Sequence, residues 1–115
     1  MEIITFAYDG FDWDFGNIKK AQKHGLSLDE IELFFQQEIF ILQDQKHSVT
    51  EKRVLAVGMS VHSRSMLVVF TLRSKNNGSL IRVISARHTH KKETELYEKL
   101  KKRVKKEGGR NRPPE

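Results

Sequence analysis

The feature that most constrains the fold is a series of four apolar segments with strand-like alternation between residues 38 and 88. They read "EIFILQD", "KRVLAVGMS", "SMLVVFTLR" and "LIRVISAR", and the connections "KHSVTE", "VHSR" and "SKNNGS" are short and polar. Connections of this length cannot hold a crossover helix, so consecutive strands must pair antiparallel. We therefore predict an antiparallel meander of four strands, to which a weak strand pattern in "EIITFAY" would add a fifth.

Helical patterns occur in the sequence both before and after these four strands. One helix is predicted over residues 15–24, because Gly25 in "KHG" can take the left-handed position that ends a helix. Ser27 and Glu30 in "SLDE" form a capping box for a second helix. Helical spacing returns from about Thr89 and includes the basic segment "KLKKRVKK". The predicted fold class is α+β, with two N-terminal helices, a four- to five-stranded antiparallel sheet and a C-terminal helix.

Length and composition exclude several classes of protein. A chain of 115 residues has room for one hydrophobic core, so we assign residues 1–106 to a single domain and residues 107–115 to a disordered basic tail. The absence of cysteine excludes disulfides, thiolate catalysis and cysteine-ligated zinc. No apolar run reaches the ~20 residues of a membrane helix, and the N-terminus lacks the basic start of a secretory signal. We expect a soluble cytoplasmic protein with no membrane partner.

Charge is divided unevenly along the chain. Residues 1–51 carry 4 basic and 10 acidic side chains, residues 52–97 carry 9 and 2, and residues 98–115 carry 8 and 3. A basic face of this kind often meets nucleic acid, because each neutralised phosphate releases a counterion. The alternative is a surface that is merely solvated.

The predicted hairpin of the last two strands assigns side chains to faces. If its turn centres at Asn76, Phe70 lies opposite Arg82 on an open face. Arg87 has the opposite parity, but it ends the strand and its side chain could turn either way. The other face is wholly apolar and would pack on the helices through Leu67, Val69, Ile81 and Val83. A slip of one residue would exchange the two faces.

Four arginines lie on or beside these two strands: Arg64, Arg73, Arg82 and Arg87. A guanidinium group stays charged and binds phosphate oxygens bidentately. Several on one face would stabilise the negative charge that develops when a phosphodiester is cleaved. The alternative is that the arginines pair with Asp or Glu from the acidic half of the chain.

Cleavage of RNA also needs groups that move protons at the ribose 2′-hydroxyl and at the leaving 5′-oxygen. The candidates are His47 in a polar loop, His88 after the last strand, and Glu93 and Tyr97, which share one helix face at i, i+4. The alternatives are a loop histidine, a solvated cap residue, a surface acid and a tyrosine packed on the sheet.

We predict no metal and no other cofactor, because "HTH" offers two histidines without a carboxylate cluster. Further contacts to RNA are expected from one aromatic and several basic side chains: Arg53, Phe70, Arg73, Lys91, Lys92, Lys101, Lys102 and Arg103.

Three motifs in order resemble one family. The runs "FDWD…N..KA..KHGLS.DE…FF", "D..HS..EKR…VGMS…R.MLVVFT.R" and "IRVISAR…..E…Y" are similar to the BrnT toxins of bacterial type II toxin–antitoxin systems over roughly residues 11–97. The resemblance implies a RelE-like ribonuclease fold and inhibition of translation by cleavage of RNA, free or on the ribosome. It also implies neutralisation by a BrnA-like antitoxin that carries a DNA-binding domain.

The polar motif of that family falls, residue by residue, on His47, Glu51, Arg53, Arg64, Arg73, Arg82, Arg87, Glu93 and Tyr97. The chain departs from the pattern at Phe70, where the family commonly has tyrosine, at "HTHKK" after "SAR", and at Thr94, where an arginine is common.

These observations lead to one principal hypothesis and one alternative. The principal hypothesis is a metal-independent endoribonuclease in which Arg64, Arg82 and Arg87 hold the phosphate. His47, His88, Glu93 or Tyr97 would then move protons. The alternative is a non-catalytic basic module that binds RNA or a partner protein.

Overall fold

The central feature of the computed structural model, which describes residues 2–3, 8–43 and 53–111, is a six-stranded sheet. In chain order the elements are β1 (Glu2–Ile3), β2 (Gly10–Phe11), α1 (Phe15–Gln22), α2 (Leu28–Phe34), β3 (Ile39–Gln43), β4 (Val54–Met59), β5 (Ser65–Lys75), β6 (Gly78–His88) and α3 (Lys91–Asn111). The α+β class is confirmed, with two helices before the long strands and one after them.

The sheet contains the predicted meander, because β3, β4, β5 and β6 pair antiparallel in sequence order. The full order is β1-β3-β4-β5-β6-β2. The expectation of a wholly antiparallel sheet of at most five strands is wrong, since β2 pairs parallel with the outer edge of β6. A strand of two residues is too short to show the alternation by which strands are recognised in a sequence.

Local capping interactions fix both early helices. The Asp14 carboxylate accepts hydrogen bonds from the main-chain nitrogens of Gly16 and Asn17 at 2.9 and 3.1 Å, which starts α1. Gly25 has the expected left-handed φ of 90°, but α1 ends at Gln22, two residues before the predicted end at His24. The capping box of Ser27 and Glu30 is confirmed at the start of α2.

Two apolar clusters lie on opposite faces of the sheet. The larger joins α1 and α2 to the sheet, and its buried members are Ala21, Leu26, Ile31, Phe34, Phe35, Ile39, Ala56, Met66, Val68, Phe70, Ile81, Val83 and Ala86. The smaller joins α3 to the other face through Phe40, Val57, Leu67, Tyr97 and Leu100. Helices thus cover part of both faces.

The β5–β6 hairpin turns at Asn76 and Asn77, whose φ angles of 52° and 64° suit a two-residue turn. Its register differs from the expected one: Thr71, not Phe70, lies opposite Arg82. An irregularity between Val69 and Phe70 then shifts the register again, so that Leu67 lies opposite Arg87.

This register reassigns the faces of the hairpin. Phe70 lies opposite Val83 in the larger cluster and is only 1% exposed, so its expected place on an open face beside Arg82 is wrong. Its ring contacts that of Phe35 edge-on at 5.0 Å. Leu67 was expected to share one face with Ile81 and Val83, but it packs under α3 while they lie in the larger cluster. A shift of one residue exchanges the faces of a strand.

The last helix extends to Asn111, five residues beyond the expected end of the domain at residue 106. The division into a domain and a tail stays a prediction. Among the described residues, no helix is both long enough and apolar enough to cross a membrane.

Candidate active site

Arg82 and Arg87 lie on the same face of β6 although they are five positions apart, an odd spacing that would normally place them on opposite faces. Their partners Thr71 and Leu67 are four apart on β5, and residues at even spacing share a face. The irregularity between Val69 and Phe70 makes up the difference, because it leaves Ile84 as an extra residue on β6. We call the α3 side of the sheet the basic face. Alternation also places Arg53 and Arg73 on it.

Arg82 is held by two carboxylates at the start of α1. Its Nη1 atom lies 2.8 Å from Asp14 Oδ2 and 3.4 Å from Asp12 Oδ2, and Nη2 lies 3.3 Å from Asp14 Oδ1. The hydrogen bond to Asp14 raises the pKa of Arg82, and the same bond lowers the pKa of Asp14. Two negative groups against one guanidinium leave this corner unattractive to a phosphate.

Asn17 connects the start of α1 to strand β6, and the sequence analysis did not predict this connection. The residue is 4% exposed, and its Nδ2 atom donates to the main-chain oxygens of Asp12 at 2.8 Å and Val83 at 3.2 Å. Its Oδ1 atom accepts from the nitrogen of Asp14 at 2.7 Å. The motif "FDWD…N" is therefore a structural connection between α1 and β6. The spacing of Asp14 and Asn17, three residues apart at a helix start, is the signal that predicts it.

Arg87 is held by Glu93 in the first turn of α3. Two parallel hydrogen bonds join the guanidinium to the carboxylate at 2.7 and 2.8 Å, and Arg87 Nη1 also donates to the oxygen of His88 at 3.2 Å. The bond from Arg87 is the main cause that lowers the pKa of Glu93 to about 2, assisted by the main-chain nitrogen of His90. A carboxylate this acidic is a poor base and has no proton to give at neutral pH.

Arg82 and Arg87, two of the three arginines assigned to the phosphate, lie apart along β6. Thr71 and Leu67, opposite Arg82 and Arg87, are four residues apart, which is about 13 Å along a strand. In this structure Arg82 and Arg87 bind separate internal carboxylates and do not form the expected joint grip with Arg64 on one phosphate; the catalytic roles of all three stay predictions. The alternative of pairing with the acidic half is confirmed for Arg82.

A polar pocket of about 280 Å³ lies where β5 begins, β6 ends and α3 begins. Its lining residues are Met59, Ser63, Arg64, Ser65, His88, Thr89, Thr94 and Glu98. The turn before β5 holds Arg64 in place, since the main-chain nitrogen and oxygen of Arg64 both bond to Ser60. Within the described residues, the structure gives the Arg64 guanidinium no carboxylate partner.

Three hydroxyl groups form a row along this pocket. Thr94 Oγ1 donates to the oxygen of His90 at 3.1 Å, Thr89 Oγ1 lies 2.6 Å from Thr94 Oγ1, and the Ser65 hydroxyl bonds to that of Thr89. These residues come from β5, the β6–α3 connection and α3. The row therefore ties together the three elements that form the pocket.

His88 is the candidate proton carrier that the structure places at the pocket. Its Nδ1 atom is buried and has no hydrogen-bond partner among the described residues. A buried polar atom normally has a partner, so this nitrogen is an exception, and proton exchange with an RNA hydroxyl would use the other ring nitrogen, Nε2. His88 and Arg64 are thus the two proposed catalytic residues that line one pocket.

Tyr97 is not among the residues that line this pocket. Its side chain is 3% exposed, packs edge-on against Phe40 at 5.8 Å and carries Lys101 Nζ 4.8 Å above its ring. Burial is the main cause that raises its pKa. This packing agrees with the alternative of a tyrosine packed on the sheet, and the proton-transfer role stays a prediction.

The remaining basic residues predicted to contact RNA include five on helix α3. Lys91, Lys92, Lys102 and Arg103 are exposed on α3, and Lys101 lies 3.1 Å from Glu98. His47 and Glu51 lie outside the described residues. Within the described part of the chain, no three His, Asp or Glu side chains are grouped closely enough to hold a metal ion.

Comparison with known proteins identifies the family. A family model for the "Ribonuclease toxin, BrnT, of type II toxin-antitoxin system" matches residues 13–93, which is 81 of the 115 residues. No individually curated protein sequence gives a significant match. The match begins at Trp13, which packs on the larger cluster, and ends at Glu93, which holds Arg87. The chain belongs to the BrnT family of ribonuclease toxins of type II toxin–antitoxin systems.

Proposed function

We propose that this toxin is a metal-independent endoribonuclease that stops translation by cleaving RNA in the cytoplasm. The observation that supports it is a pocket lined by both Arg64 and His88. Among the described residues, the Arg64 guanidinium has no carboxylate partner and His88 Nδ1 has no hydrogen-bond partner. These two groups supply what the reaction needs, namely charge at a phosphate and a proton carrier beside it. The paired Arg82 and Arg87 supply neither in this structure.

The proposed reaction is attack of a ribose 2′-oxygen on the adjacent phosphorus. His88 takes the proton of the 2′-hydroxyl, and Arg64 stabilises the added negative charge on the phosphoryl oxygens. The bond from phosphorus to the 5′-oxygen breaks, and that oxygen gains a proton. The products are a 2′,3′-cyclic phosphate and a 5′-hydroxyl. His47 stays a prediction for the second proton carrier.

Arg87 and Glu93 have a positioning role in this proposal. Their ion pair links the end of β6 to the first turn of α3, on either side of His88, Thr89 and the row of hydroxyls. Removing the pair would leave the pocket wall free to shift, and misplacement by about 1 Å can cost about 10²-fold in rate. Arg82 and Asp14 link β6 to α1, away from the residues that line the pocket, so they position α1 and not the catalytic residues.

The remaining basic residues extend the proposed RNA contact beyond the pocket. Lys91 and Lys92 are exposed at the start of α3, next in the chain to the pocket residues. Arg53 and Arg73 lie on the basic face by register, farther along the sheet. Contacts of this kind bind the RNA backbone without sequence preference and weaken as salt rises.

We propose further that the fold is RelE-like and that a BrnA-like antitoxin with a DNA-binding domain neutralises the toxin. The family match supports the existence of an antitoxin. The adjacent reading frame tests its type, because a short protein with a ribbon-helix-helix pattern is expected there.

The experiment that tests the activity uses purified full-length toxin freed of antitoxin. Total RNA is incubated with it in EDTA, and the ends of the fragments are analysed. We expect cleavage with 2′,3′-cyclic phosphate ends, together with loss of protein synthesis when the toxin is expressed. Intact RNA under these conditions, with RNA binding retained, would favour the non-catalytic module instead.

A further inference from the structure

We propose that the pocket also selects the base beside the cleaved bond, and that Glu98 recognises an amino group on that base. The inference rests on the proposed function, since it names the substrate preference of the same pocket. Glu98 lines the pocket from α3, four residues after Thr94 and therefore on the same side of the helix. A carboxylate would repel a phosphate, so its presence in a phosphate pocket requires another explanation.

The Glu98 carboxylate retains an acceptor for a ligand. Its Oε1 atom lies 3.1 Å from Lys101 Nζ, which orients the group, and its side chain is 49% exposed. A carboxylate oxygen accepts hydrogen bonds and cannot donate them when ionised. Glu98 therefore suits a ligand that presents N–H groups.

The row of hydroxyls, like the Glu98 carboxylate, presents hydrogen-bond acceptors to the pocket. Each hydroxyl owns one hydrogen, and Thr94 gives its hydrogen to the oxygen of His90. With that bond formed, Thr89 donates to Thr94 and Ser65 donates to Thr89, in two contacts where either hydroxyl can be the donor. All three hydrogens are used within the protein, so these hydroxyls offer only lone pairs to a ligand. The pocket thus has one donor side, at Arg64, and one acceptor side, at Glu98 and the hydroxyls.

A nucleotide has the matching polarity if its base carries an exocyclic amino group. Its phosphate faces the Arg64 guanidinium, and the amino group of adenine, cytosine or guanine faces the acceptor side. Uracil carries carbonyl oxygens at the corresponding positions, which would meet lone pairs. In single-stranded RNA such base edges are accessible, so recognition of this kind is feasible.

The test measures binding without cleavage. Tetranucleotides of 2′-deoxyuridine cannot be cleaved through a 2′-hydroxyl, and one position is varied among uracil, cytosine, adenine and guanine. Full-length toxin is expected to bind at least one amino-bearing variant about tenfold tighter than the all-uracil strand, as for a hydrogen bond to a charged group. Glu98→Gln should reduce this preference to less than about twofold, while Glu95→Gln, on an exposed residue of the same helix, should leave it unchanged.

Equal affinity for all four strands, or a preference that survives in Glu98→Gln, would overturn the inference. Thermal melting of both variants identifies any loss of fold, which neither exposed position should cause. The two proposals fail separately. Base preference without cleavage of RNA would contradict the proposed function, and cleavage without base preference would contradict only the role of Glu98.

Discussion

Arg87 binds Glu93 through two parallel hydrogen bonds of 2.7 and 2.8 Å, which connect the end of the sheet to the start of the last helix. The partners are six residues apart in the chain, so the pair closes the turn that contains His88 and Thr89. The pocket is built on this turn. Its geometry therefore depends on an ion pair whose acid has a pKa of about 2.

The first prediction concerns the pH dependence that follows from this pair. The folded pKa of Glu93 lies below its ordinary value of 4.5, so the pair stabilises the fold above that value. This stability should be lost as pH falls from about 5 towards 2. Glu93→Gln should lower the free energy of unfolding by about 1 kcal/mol at pH 7, because solvent screening weakens a pair that is one-third exposed. Urea denaturation at several pH values measures it, and a difference that is the same at pH 7 and pH 2.5 would contradict it.

The second prediction concerns Asn17. Asn17→Ala leaves three main-chain groups without their partners, two of which are oxygens of Asp12 and Val83. We expect a loss of about 3 kcal/mol in the free energy of unfolding, from unsatisfied buried polar groups. Gln22→Ala, at an exposed position in the last turn of the same helix, should change it by less than about 0.5 kcal/mol. Equal stability of the two variants in urea would show that the connection is unimportant.

The third prediction separates structure from catalysis at Arg82. Arg82→Ala removes the contacts to Asp12 and Asp14 and leaves their charges unopposed, so the melting temperature should fall. The cleavage rate per folded molecule should change by less than about threefold, whereas a lost transition-state contact would cost about 10²-fold or more. Arg82→Lys should restore part of the stability. A variant that melts at the wild-type temperature but no longer cleaves RNA would contradict this prediction and support the expected contact between Arg82 and the phosphate.

The fourth prediction concerns Phe70, which the sequence placed among the RNA contacts. Phe70→Leu should cost about 1–2 kcal/mol in the free energy of unfolding, less than the 3–5 kcal/mol of full truncation to alanine. Affinity for RNA should be unchanged, since the ring is 1% exposed. Leu72→Ala, at a half-exposed position on the same strand, is the matched control for stability. Weakened RNA binding by folded Phe70→Leu would contradict this assignment.

Much of the fold followed from local patterns. The four long strands were predictable because their alternation is clear and their connections are short. The helix starts at Asp14 and Ser27 use side chains within three residues, so capping is visible in the sequence. The two-residue strand β2 and the irregularity in the β5–β6 pairing, which leaves Ile84 as an extra residue, were not predictable, because neither has a periodicity of its own. The irregularity alone decides which face Arg82 and Arg87 share.

The site was less predictable, for a physical reason. The sequence shows that Arg82 is charged, but its partners lie 68 and 70 residues away, and only the pairing of α1 with β6 brings them together. Arg64 and His88 were chosen for their residue types. Their common pocket depends on Ser65, Thr89 and Thr94, which no motif singled out. Tyr97 matched the family pattern, yet its spacing is equally that of a residue packed on the sheet.

The central claim is that Arg64 and His88 perform the reaction in one pocket. The most direct measurement is the rate of cleavage of one defined RNA in EDTA by four purified variants of equal thermal stability. Arg64→Ala and His88→Ala should each lower the rate by about 10²-fold or more, while Lys20→Ala and His62→Ala, at exposed positions, should cleave at the wild-type rate. Wild-type rates in Arg64→Ala and His88→Ala would contradict the account.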